Sequence, residues 1–200
     1  MHADAEAVLD FWFGPQGSAA AVAGRQRALW FGKSAEADRA VSERFTVALA
    51  EARAGRLDHW TDTPRGRLAL VIVLDQFPHH VFRDQPQAFA SDAQALALSL
   101  AALDAQEDQA LAPIERVFLY LPLEHAESLA MQERSVALFE RLAQEAAADE
   151  GSLFGDFLVY ARRHRDVVAR FGRFPHRNEI LGRASSPEEI EFLKEPGSRF

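Results

Sequence analysis

Between Arg162 and Arg177 the chain carries six arginines and two histidines, His164 and His176, against one carboxylate, Asp166. Guanidinium groups grip carboxylates and phosphates through paired N–H donors, a geometry lysine does not reproduce. The segment contains no lysine. Imidazoles add groups that titrate near neutrality and serve as general bases or ligand donors. The chain as a whole is acidic, with a formal net charge of −8, so such a basic segment needs either acidic neighbours in the fold or an anionic ligand. Arg173, His176, Arg177 and Asn178 surround a Phe174-Pro175 corner and are candidates to line an anion-binding groove, with Arg163 upstream. Asp75 joins them. It ends the apolar run Leu68–Leu74 and must be capped, paired or set in a cleft; pairing with one of the arginines is expected. Internal salt bridges to Asp75, Asp92, Glu124 or Glu127 are the competing account of the arginines. Arg162 and Asp166 stand four apart, the spacing of a helical ion pair, which in solvent contributes only about 0.3–0.5 kcal/mol.

His164 falls on the stripe Phe157, Tyr160, Ala161, His164, Val167, Val168 and Phe171, which shares one face of a helix. It therefore points inward, as a general base or as a core histidine bonded to a carboxylate or carbonyl. Glu124-His125 is a second carboxylate–imidazole candidate, with Glu124 expected in the first turn of a helix, where the dipole favours it. His164, His125 and Glu124 are the candidate catalytic groups. No metal site is expected, because the histidines are scattered and no His-Glu-x-x-His occurs. The chain has no cysteine, which removes disulfides, thiolate nucleophiles and sulfur-ligated zinc. Neither a glycine-rich phosphate loop nor a dinucleotide fingerprint nor a Gly-x-Ser-x-Gly turn is present, and no cofactor is expected. Trp12, Trp30 and Trp60 either line a groove or belong to the core.

The elements that must hold these groups read as helices. Asp4 caps the first, which Gly14-Pro15 ends. Gln16–Gly24 reads as a loop or a weak helix. Ser34 caps a helix with Val41, Phe45, Ala48, Leu49 and Ala52 on one face. Thr63-Pro64 opens another whose interior is apolar on every side; it reads as a central helix more than a buried strand. Ser91 or Asp92 starts a helix running to Ala105, and Pro113 opens one running to Tyr120, which Pro122 then breaks or kinks. A long helix is expected from Leu123 to about Ala148, then a turn over Gly151–Gly155 and a helix over Asp156–Phe171. A short helix near Pro175–Leu181 and a Ser186-Pro187-Glu188-Glu189 start complete the set. Residues 195–200 read as a loose tail. Phe77-Pro78-His79-His80 and Phe174-Pro175-His176-Arg177 echo one another, and a proline-started turn offers free N–H groups to an anion. The bland account is that both simply turn the chain.

Taken in order, Asp10-Phe-Trp-Phe-Gly14, Leu74-Asp-Gln-Phe-Pro78, Phe89-Ala-Ser-Asp92, Tyr120-Leu-Pro-Leu-Glu-His125, Arg170-Phe-Gly-Arg-Phe-Pro-His-Arg-Asn178 and Leu181-Gly-Arg183 resemble the bacterial domain-of-unknown-function family 924. The resemblance runs from about Val8 to about Leu193. It implies a tetratricopeptide-like helical fold and no particular activity. The family pattern has Arg-Asn after the first Phe-Pro; here His79-His80 replaces it, which removes a permanent cation from that corner.

The whole chain, residues 1–200, is thus expected to form one all-helical domain, an array of antiparallel helix pairs. Its 48% hydrophobic content and 15 phenylalanines suit a well-buried, partly aromatic core. The N-terminus has no signal-peptide pattern and no apolar run is long enough to span a bilayer, so a cytoplasmic protein without membrane contact is expected. The negative charge argues against nucleic acid as a partner. The leading expectation is a binding module for a small anionic ligand or an acidic peptide. The alternatives are a hydrolase with a histidine base and an arginine clamp, and a polar network that only fixes helix angles.

Overall fold

A computed structural model describes residues 4–199. Its helices are α1 (Ala5–Phe13), α2 (Ala19–Phe31), α3 (Ala35–Arg53), α4 (Pro64–Asp75), α5 (Phe77–Val81), α6 (Asp92–Asp104), α7 (Pro113–His125), α8 (Leu129–Glu145), α9 (Gly151–Phe171) and α10 (Pro187–Phe192), with four short 3-10 turns between them. No strand forms among the described residues, and the chain is a single helical domain.

The central position of α4 follows from its composition. Leu68 to Leu74 are all buried, and the helix packs against α1, α3, α6 and α7. Thr63 Oγ1 accepts the Gly66 N–H at its start, where Pro64 sacrifices no hydrogen bond. Around α4 an aromatic cluster closes the core. Phe118 of α7 meets Trp12, Phe13 and Trp30 with ring centroids 5.5, 5.4 and 4.7 Å away, and Phe77 stacks on Phe45 at 4.7 Å. The tryptophans are therefore core residues: Trp12, Trp30 and Trp60 are buried, and Trp30 Nε1 donates to the Trp12 carbonyl at 2.9 Å. α8 and α9 lie against each other as a hairpin across the short connection 146–150. Consecutive helices packed in pairs are compatible with a tetratricopeptide-like array.

Of the two readings of the Ala-rich segment the helical one holds: it forms α2, capped by Ser18 and closed over the core by Val22, Ala23 and Trp30. Other expectations differ from the observed elements. Pro122 neither starts nor ends a helix. It lies buried within α7, and the break comes instead at Ala126-Glu127-Ser128. There the fully buried Gln132 donates from Nε2 to the carbonyls of Glu124 (2.5 Å) and Ala126 (2.8 Å), satisfying the end of α7. Glu124 is consequently at a helix C-terminus, not in a first turn. Gly151 and Gly155 lie inside α9, because the turn uses Ala147–Glu150. The tail folds back as far as it is described: Ser198 is buried and its Oγ donates to the Leu193 carbonyl, while Arg163 Nη2 donates to the Gly197 carbonyl. Met1–Ala3 and Phe200 lie outside the described residues.

Among the described residues no helix is long and apolar enough to cross a membrane.

Candidate functional site

The two Phe-Pro-His corners, almost one hundred residues apart in sequence, meet. The first ends α4 and forms α5; the second follows α9 and forms a 3-10 turn over Pro175–Arg177. Arg177 links them. Its guanidinium carbon sits 4.7 Å from the ring of Phe174, beside it in the second corner, and 4.7 Å from Phe89, which follows the first. His79 lies edge-on to Phe89 at 5.4 Å and to His125 at 5.9 Å. His125, the last residue of α7, presents Nδ1 to Asp75 Oδ1 at 2.9 Å. Asp92, the first residue of α6, places Oδ2 3.3 Å from Arg177 Nη1.

Burial sets the electrostatics. Asp75 has no exposed surface. Burial alone would push its carboxyl up, but His125 and the Gln76 amide, which donates at 2.6 Å, overcome this and hold it below the usual carboxylate range. Burial likewise opposes charge on His125, yet the Asp75 carboxylate wins and raises that imidazole above its ordinary value. His79 has no hydrogen-bonded carboxylate: burial, then the cation His125, push it down to about 3 against the pull of the Asp75 charge, so it is neutral at pH 7. His176 is pushed to about 3 by burial, Arg177 and His164. Asp92 moves the other way, up to about 6, through burial and the neighbouring Asp75 charge, against the pull of Arg177 and His125.

Arg177 is 7% exposed. Burial weakens its hold on the proton, with Asp92, Glu127 and Asp75 opposing; a guanidinium nevertheless stays charged at any physiological pH. Its Nε finds no acceptor among the protein atoms, nor does Asp92 Oδ1 find a donor. Phe174 is fully buried and Phe89 only partly, so the outer wall of this cation sandwich is Phe89.

Behind Phe174 is a second carboxylate–imidazole pair. Glu124, disfavoured at the negative end of α7, lies 2.9 Å from His164 Nδ1, which is also 2.9 Å from the Tyr160 carbonyl. His164 meets Phe174 edge-on at 5.5 Å. His164 is thus buried as the stripe implies, and Glu124 and His125, adjacent in sequence, serve two different pairs. A third pair, His80 with Asp38 at 2.9 Å, is held by Arg83.

The other arginines do not join this cluster. Arg173 is held by Glu189 at 2.7 and 2.8 Å and by the Ala184 carbonyl, which fixes the start of α10. Arg183 grips Glu127, whose other bond takes the Phe174 N–H. Asn178 is wholly buried, accepting from Arg183 and donating to Ser185. Arg163 lies over Tyr160 and bonds to the tail. Arg162 pairs with Glu140, not Asp166, which Arg165 takes instead. Asp75 is bonded to histidine and glutamine where an arginine partner was expected. Of the sequence candidates, the structure therefore gathers Asp75, His125 and Arg177, with His176 beside them and Glu124–His164 behind. Asp92, named from sequence only as an internal partner for the arginines, pairs with Arg177; His79 was noticed only through the repeated Phe-Pro-His corner, and no role for Phe89 was read. Among the described residues no three His, Asp or Glu side chains are placed to hold a metal ion. A shallow surface depression bordered by Asp4, His59, Trp60 and Thr63 shares no group with the cluster.

The fold and this buried ionic cluster define a single-domain, all-helical protein whose polar groups meet at two proline corners. The chain belongs to a bacterial family of proteins of unknown function, DUF924, whose model matches residues 8–197. It is similar to a solved protein of unknown function from Agrobacterium tumefaciens, ATU0120, at 37% identity over 95% of this chain and 96% of that one, with a TM-score of 0.79. No curated protein matches the chain.

Proposed function

We propose that the chain is a binding module for a small anionic ligand, held at Arg177 beside His79 and His125. The observation that carries this reading is the state of Arg177: a guanidinium nine-tenths buried between two phenyl rings, with one ion pair at 3.3 Å and an unpartnered Nε. Arg173 and Arg183, although more exposed, are each held by several close acceptors. The depth of the group favours a small ligand over an acidic peptide segment.

The test is thermal stability in a titration with acetate, succinate and inorganic phosphate. A ligand at one hundred times its Kd stabilises by about 2.7 kcal/mol, which raises Tm by about 5–10 °C for a chain of this size. The shift is expected in wild type and in Arg173→Ala, and is expected to vanish in Arg177→Ala. No shift with any of the three anions, or a shift that survives Arg177→Ala, contradicts the reading.

One observation favours a second reading, a hydrolase acting on an anionic metabolite. The Asp75–His125 pair has the geometry of a base oriented by a buried carboxylate, with a guanidinium nearby to meet developing negative charge. Loss of most turnover in Asp75→Asn, with anion binding retained, is expected on a carboxylate-bearing ester substrate. Undiminished turnover in that variant removes the dyad from the mechanism.

A further inference from the structure

The site holds an unpartnered donor and an unpartnered acceptor on the two side chains of one ion pair. Arg177 and Asp92 share one contact, Nη1 to Oδ2 at 3.3 Å, and each has a second covered polar atom without a partner among the protein atoms, Nε on the arginine and Oδ1 on the aspartate. Buried polar groups left in that condition are costly. The cost falls most if one occupant answers both. A plain anion answers only Arg177 and is repelled by the neighbouring carboxylate. A plain cation answers only Asp92 and is repelled by Arg177 and by His125. An occupant that carries a carboxylate and, on the adjacent carbon, a hydroxyl or ammonium group answers both at once. The rings of Phe89 and Phe174 flank the guanidinium, with His79 and His125 alongside, surroundings whose mixed polarity suits a compact molecule with a short apolar remainder. Phe89, partly exposed, is the wall on the solvent side.

Resting on the anion-binding reading, we infer that the ligand is a small 2-hydroxy or 2-amino carboxylate, its carboxylate on Arg177 and its hydroxyl or ammonium donating to Asp92. Carboxylate and donor are recognised by separate side chains, and selectivity resides in Asp92. A site built to bond a donor discriminates strongly against an analogue lacking one.

Calorimetric titration at pH 7.5, where Asp92 is ionised, with glycolate, L-lactate, glycine, propionate and inorganic phosphate tests this on the full chain. Glycolate, lactate or glycine is expected to bind at least ten-fold more tightly than propionate, which matches glycolate in size and lacks the donor. In Asp92→Ala the preference is expected to collapse to within about two-fold, with propionate binding more tightly than in wild type because the repelling carboxylate is gone. Propionate binding as tightly as glycolate in wild type overturns the ligand class and leaves the anion reading standing. Phosphate binding without any carboxylate binding also overturns the class. Absence of binding by all five overturns both, and leaves the two atoms to be satisfied by water alone. Should Asp92→Ala fail to fold, Phe89→Ala supplies the check: faster glycolate association with the same rank order is expected, and a changed rank order counts against the assignment.

Discussion

The imidazole of His79 shows what burial does to one residue in this site. Its folded pKa of about 3 lies below the ordinary value of 6.5, so at intermediate pH the unfolded chain takes up a proton that the folded chain refuses. Stability from this group is fully present above pH 6.5 and is lost as pH falls towards 3. Between pH 7 and pH 5 the loss is on the order of 2 kcal/mol. Asp92 acts with opposite sign, because its folded pKa of about 6 makes the folded chain the better proton acceptor between about pH 6 and pH 4. The useful measurement is therefore a difference. Urea unfolding of His79→Ala is expected to lose about 2 kcal/mol less than wild type between pH 7 and pH 5, and equal losses would show that His79 protonates as freely in the fold as in the open chain. At this scale the sequence was partly legible. His164 was placed inward by its helical spacing, and Asp75 was forced to find a partner by the apolar run it ends. The fates of Arg173 and Arg177 were not legible, since identical guanidinium groups four residues apart differ only in what the fold brings to them: Glu189 to one, two phenyl rings and a distant aspartate to the other.

Helix boundaries decide which residues can meet. Pro122 reads as a breaker, yet it is buried inside α7, and the helix runs on to His125 because Gln132 closes its end. That choice puts Glu124 and His125 at the last turn of α7, one reaching α9 and the other α4. Gln132→Ala removes both donors from those carbonyls, and is expected to destabilise the chain by about 1–3 kcal/mol and to weaken anion binding through His125. A stable variant with unaltered binding would show that the α7 end is fixed by packing alone. α10 is a second case. Its Ser186-x-x-Glu189 box was legible and forms as written, with Ser186 Oγ accepting the Glu189 N–H and Glu189 accepting the Ser186 N–H. Ser186→Ala is expected to cost about 1 kcal/mol, read as roughly five-fold faster amide exchange across α10, whereas unchanged exchange would mean that Arg173 alone anchors the helix.

Across the whole molecule, the all-helical class and the central role of α4 were legible, because an apolar run surrounded by helix-start chemistry has few other uses. The junction was legible as two similar corners and as the separate residues Asp75, His125 and Arg177, but not as one place. Their meeting depends on α7 ending at His125 and on the turn after α9, and neither is a property of a local window. The consequence is an acidic protein that holds a guanidinium, two or more imidazoles and two carboxylates at one buried junction. That junction is where the account stands or falls. The most direct measurement is the 15N–1H resonance of Arg177 Nε during titration with glycolate. The account predicts a saturable shift of this resonance that propionate reproduces only weakly, with the Arg173 resonance unmoved. A titration that shifts exposed arginines alone and leaves Arg177 where it was would contradict it.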